Sequence, residues 1–160
     1  DPWAQIATER RSLADLLDTL TPQQWASPSL CGAWSVQEVA VHLTSGPSTS
    51  ILTFLGAMVR ARGSFDRANE LLVARRSDVE PAQVTAWLRE YAEHRFTPPT
   101  MDWHAPLTDL RIHTQDIVVP LGLDAGVSVE PWREVLDFLV GVAQDWIAVN
   151  AASRGLPPLA

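Results

Sequence analysis

Pro106-Leu107-Thr108-Asp109-Leu110-Arg111-Ile112-His113-Thr114-Gln115-Asp116-Ile117 is the stretch on which the reading of this chain turns. Its pattern predicts a helix. Pro106 then falls in the first turn, where its missing N–H is harmless. Pro120-Leu121-Gly122 is a matching stop signal. On such a helix Asp109, His113 and Asp116 stand at i, i+4 and i+7, and therefore share one face. The bland reading is two solvent-facing carboxylates and one half-buried packing histidine. The stripe gains chemical meaning only if another element brings a further ligand to it.

The upstream partner is Ser35-Val36-Gln37-Glu38, a capping box with a hydroxyl at the N-cap and a carboxylate three residues later. The helix it starts carries Val39, Val41, His42 and Leu43. His42 lies one residue off the Val39–Leu43 stripe, so it points to the interior of a helical bundle or to its margin. Gly46-Pro47 is expected to kink or interrupt this helix.

Helical spacing recurs along the rest of the chain. A first helix is expected over about residues 2–20, opened by Asp1-Pro2. Ala26 to Trp34 reads as a loop. Further helices are expected around Ile51–Val59, Asp66–Arg76 and from Glu80-Pro81 onward. A last helix opens at Glu130-Pro131, carries Trp132, Val135, Leu136, Leu139, Val142, Ala143, Trp146 and Ile147, and is capped by Gly155. No period-two run with turn punctuation predicts a strand. The expected architecture is all-α, with four principal helices and additional short ones in a single domain over 1–160. The C-terminus lacks an obvious closing element, so truncation there is expected.

Composition narrows the function classes. A chain of 160 residues can bury about 70% of its unfolded surface. The net charge of −7 argues against a nucleic-acid surface, which needs a basic stripe. No apolar run approaches the ~18 residues of a membrane span. The single cysteine, Cys31, excludes an intrachain disulfide and fits a reducing, cytoplasmic setting. Cys31 reads as a semi-buried structural residue, although the helix start at Ser35 is a device that lowers thiol pKa values. Arg67 and Arg111 are candidate anchors for an anionic substrate. Trp34 and Trp103 are candidate pocket walls.

Imidazole nitrogen and carboxylate oxygen are good ligands for zinc and similar divalent ions. Two ligands one turn apart with a third from a facing helix is how helical bundles build metal sites. His42, Asp109 and His113 make such a set. Three protein ligands leave a position open for water or substrate. Asp116, beyond His113, is suited to hold an imidazole tautomer or a bound water.

Trp25-(x)8-Trp34-Ser35-Val36-(x)5-His42-Leu43, read with Pro28-Ser29-Leu30-Cys31-Gly32, resembles the N-terminal metal-binding domain of the mycothiol-dependent maleylpyruvate isomerase family, part of the DinB-like helical bundles. The segment from Pro106 through Asp109, His113 and Asp116 to Gly122 resembles that family's second signature, and Ser64 to Glu70 lies between them. The resemblance implies an antiparallel four-helix bundle with one divalent metal, usually zinc, with nickel or iron as alternatives. Matching residue by residue gives His42, Asp109 and His113 as ligands. Relatives typically carry Glu or His where Asp109 stands. The implied chemistry is activation of a small thiol such as mycothiol for transfer to, or isomerisation of, a small electrophile. The isomerase completes its active site with a C-terminal domain that this chain lacks, so thiol transfer is the expected activity rather than maleylpyruvate isomerisation. The alternative is a non-catalytic metal- or ligand-binding bundle that works through homodimerisation.

Overall fold

The computed structural model describes residues 1–32, 34–98, 101–125 and 132–153, with side chains described up to residue 144. Every regular element among them is helical. In order these are α1 (Pro2–Leu17), α2 (Pro22–Trp25), α3 (Val36–Ser48), α4 (Ile51–Arg60), α5 (Phe65–Ala74), α6 (Pro81–Glu90), α7 (His104–Leu121) and α8 (Trp132–Ser153). The chain divides into two compact units, Asp1–Ala125 and Gly126–Ala160. Within its own unit α8 is a 22-residue helix, with Leu136, Leu139, Val140 and Val142 exposed. The expected helix start at Glu130-Pro131 and the Gly155 cap lie outside the described residues, as do the side chains of Trp146 and Ile147.

In the first unit four helices form a ring. α1 packs on α6 and α7, and α3 packs on the same two. Each contributes apolar residues at helical spacing: Ile6, Leu13 and Leu17 from α1, Val36, Val39 and Leu43 from α3, Val84 and Leu88 from α6, Leu107, Leu110 and Ile117 from α7. Burying one such side chain stabilises the fold by about 1.5–3 kcal/mol. α4 and α5 pair with each other, with Ala57, Ala61, Ala68 and Leu72 forming a smaller cluster.

Buried polar groups fasten the ring. Arg10 on α1 is buried and donates to the carbonyls of Tyr91, Ala92 and His94, just past the end of α6. Arg111 on α7 is 1% exposed at its side chain and donates from Nε and an Nη to both carboxylate oxygens of Glu9, at 3.0 and 2.6 Å. It is therefore a structural clamp. The expectation that Arg111 anchors an anionic substrate does not hold, because its guanidinium faces α1. Arg67 is exposed.

The capping box at Ser35 forms as expected. Glu38 Oε2 accepts from the Ser35 backbone N–H and hydroxyl at 2.8 Å, while the Glu38 N–H reaches the Ser35 hydroxyl. A second capping box, Thr21 with Gln24, starts α2. The interruption expected at Gly46-Pro47 is present, one residue past the proline, and a new helix, α4, starts at Ile51. Pro47 lies inside the last turn and the helix runs to Ser48, breaking at Thr49.

Because Ser35 fixes the start of the helix that carries His42, its loss is a sensitive probe of the fold. Ser35→Ala is expected to cost about 1 kcal/mol, read as a lowered midpoint in urea unfolding. An unchanged midpoint would mean that packing alone sets the start of α3.

Candidate metal centre

His42 immediately precedes the buried Leu43, and Asp109 immediately precedes the buried Leu110. One residue is about 100° of helix rotation. Each polar side chain is thus turned from the core-facing stripe to the flank of its helix. Since α3 and α7 pack together, the flanks meet at the margin of the ring. His113, one turn beyond Asp109, joins them.

The donor atoms converge on Asp109. His113 Nε2 lies 3.4 Å and His42 Nε2 3.5 Å from Asp109 Oδ1. The two imidazole rings sit edge to face with centroids 4.9 Å apart. Nitrogen, nitrogen and oxygen all fall within 4.8 Å of one another. These separations are long for good hydrogen bonds. They match the spacing of ligands around one ion: bonds of about 2.0–2.1 Å in a tetrahedron put neighbouring ligand atoms about 3.3–3.4 Å apart. The donor set therefore fits a divalent ion in type, and the two separations about Asp109 suit one in spacing. Thr108, next to Asp109, has a buried hydroxyl with no hydrogen-bond partner among the described residues.

Asp116 stands behind His113. Its Oδ2 lies 2.8 Å from His113 Nδ1, and both side chains are nearly covered. A carboxylate on Nδ1 favours the proton there, so that in the neutral ring Nε2 is the nitrogen whose lone pair is open to a ligand. His42 has no such support. Its Nδ1 is buried with no hydrogen-bond partner among the described residues. What holds its ring is Trp34, tilted against it at 5.2 Å. Trp34, expected as a pocket wall, thus stands against His42. Trp103 instead packs against the core and stacks on His104, whose Nδ1 is 2.8 Å from Asp102.

The electrostatics follow from this crowding. The Asp109 side chain is 48% exposed, yet the protein crowded around its carboxyl would by itself push it up. The interactions with the imidazoles of His113 and then His42 outweigh this and hold Asp109 well below the usual carboxylate range. His113 moves the other way. Burial favours its neutral form, but Asp109 and then Asp116 raise it above the ordinary imidazole value.

Sequence spacing did not reveal that Cys31 belongs to the same neighbourhood. Its thiol lies within 4.8 Å of donor atoms of both His113 and Asp116. The thiol is pushed up by burial and then by the charges of Asp116 and Asp109. This reverses the expected influence of the α3 N-terminus.

A family model described as the mycothiol maleylpyruvate isomerase N-terminal domain matches residues 6–118. Neither curated proteins nor solved structures give a significant match.

Proposed function

The chain belongs to the mycothiol maleylpyruvate isomerase N-terminal domain family, and on that premise we propose that it binds one divalent metal ion, zinc first among candidates, through His42, Asp109 and His113. On this reading it is a thiol-dependent transferase or isomerase, with mycothiol or a similar small thiol as co-substrate and a small electrophile as acceptor. The observation that carries the proposal is the pair of 3.4 and 3.5 Å separations about Asp109 Oδ1.

A bound divalent cation would supply thiol activation, stabilising the thiolate near neutral pH so that it can attack an electrophilic carbon. The chain's own residues have distinct tasks. Asp109 offers a carboxylate kept ionised. Asp116 holds the His113 Nδ1 proton and so keeps Nε2 free. Trp34 braces His42 and covers one side of the centre with an apolar ring. No helix among the described residues is long and apolar enough to cross a membrane. Cys31 is an unpaired thiol, which supports a reducing cytoplasmic compartment for the reaction.

The test combines metal analysis with thiol consumption. The natively purified chain is expected to carry metal, and the loaded protein to consume mycothiol, bacillithiol or glutathione against a panel of electrophiles. Metal without turnover for any of the three thiols would leave a binding protein in place of an enzyme. Asp116→Asn separates orientation from ligation. It is expected to weaken zinc binding about 10- to 100-fold, the range for losing a partner that orients a ligand. An unchanged affinity in a competition titration would remove Asp116 from the centre.

A further inference from the structure

His113 presents two nitrogens to two different groups. Nε2 faces Asp109, and Nδ1 faces Asp116. A third donor, the thiol of Cys31, lies within 4.8 Å of a ring nitrogen of His113 and of a carboxylate oxygen of Asp116. Its position is built. The loop from Ser27 to Val36 closes on itself: Val36 N–H donates to Ser27, Ser29 N–H to Trp34, and Pro28 pairs with Ser35. Leu30 N–H then donates at 3.0 Å to the backbone carbonyl of Asp116. The Cys31 N–H is held by the Ser29 hydroxyl at 3.0 Å. The loop is thereby pinned to α7 next to His113, with Cys31 partly buried.

We propose that Cys31, His113 Nδ1 and Asp116 form a second cation site, selective for soft, thiol-seeking divalent ions and coupled to the first centre through the shared His113 ring. The donor chemistry makes the selectivity: a thiolate ligand favours soft ions, whereas His42, Asp109 and His113 offer only nitrogen and oxygen. The field agrees, since the carboxylates of Asp116 and Asp109 that oppose a thiolate also attract a cation. Binding releases the thiol proton as the sulfur–metal bond forms; with an ion already on Nε2 the Nδ1 proton is released too and the ring bridges the two ions as an imidazolate, whereas without one that proton moves to Nε2. The 2.8 Å contact between Asp116 and Nδ1 is a hydrogen bond, shorter than the about 3.3 Å expected between two ligands of one ion. Asp116 must therefore swing away by roughly half an ångström. Occupying the second site thus withdraws the carboxylate that orients His113 toward the first, so a soft ion there acts as an inhibitor of the first centre.

The chain has a single cysteine, which makes the test specific. Cadmium bound to a thiolate gives an ultraviolet charge-transfer band, and within one chain only Cys31 can produce it. Adding cadmium to the zinc-loaded protein is expected to raise this band to saturation at about one thiolate-bound ion per chain. Cys31→Ser abolishes it. Asp116→Asn weakens the apparent affinity at least about tenfold. His42→Ala, which removes a ligand of the first centre alone, keeps the band, so failure of the first centre and failure of the second are separately visible. Absence of the band at several-fold excess cadmium would overturn the proposal. So would an affinity indifferent to Asp116→Asn, or saturation at one cadmium per two chains, which would mean thiols bridging separate molecules.

Discussion

His113→Ala is expected to lower divalent-metal affinity by well over about 100-fold, more than the upper range for losing an orienting partner. The two ring nitrogens of His113 face two different carboxylates. Its Nε2 lies 3.4 Å from Asp109 and its Nδ1 2.8 Å from Asp116. Removing the ring deletes a ligand, leaves Asp116 with nothing to orient, and opens the space between the two carboxylates. The effect can be read in stability as well as in binding. An ion that binds only the folded chain stabilises it by about 2.7 kcal/mol at a hundred times its dissociation constant. Zinc is therefore expected to raise the melting temperature of the wild-type chain and to leave that of the variant nearly unchanged. Far-ultraviolet circular dichroism with native helical content in the metal-free variant separates loss of the site from loss of the fold. An equal zinc-induced shift in both proteins would contradict the assignment of His113.

Glu9→Ala is expected to have the largest effect on stability, about 3 kcal/mol. Arg111 is fully buried, and both oxygens of Glu9 receive its N–H groups. Without Glu9 a buried guanidinium loses the carboxylate that offsets its desolvation. The figure is the low end for breaking a buried pair, because Glu9 keeps some contact with water, with 22% of its side chain exposed. For a chain of this length the melting temperature should fall by roughly 6–12 °C. The exposed pair Arg11–Glu93 is the control, and Glu93→Ala should change little. Equal losses from the two variants would show that the clamp between α1 and α7 has no special weight.

What was legible in the sequence was local. The Ser35 to Glu38 capping box fixes where α3 begins, and so the rotation at which His42 leaves it. Pro106 and Gly122 bracket α7, and spacing alone puts Asp109, His113 and Asp116 on one side. Both flanks could be anticipated because His42 and Asp109 each stand one residue before a core leucine. What was not legible depends on contacts between distant segments. Arg111 looks like a surface cation until Glu9, on the first helix, is brought against it. Cys31 looks like an isolated thiol until Leu30 N–H bonds to the Asp116 carbonyl. Its electrostatic setting then follows from α7 and not from the nearby start of α3. Gly46-Pro47, by contrast, marks the end of α3 to within two residues.

X-ray absorption at the zinc edge of the chain loaded with one equivalent of zinc tests the central claim most directly. The expected spectrum has only nitrogen and oxygen in the first shell, at about 2.0–2.1 Å, with the outer-shell scattering of two imidazoles. Sulfur at about 2.3 Å, or a single imidazole, would contradict a centre built from His42, Asp109 and His113.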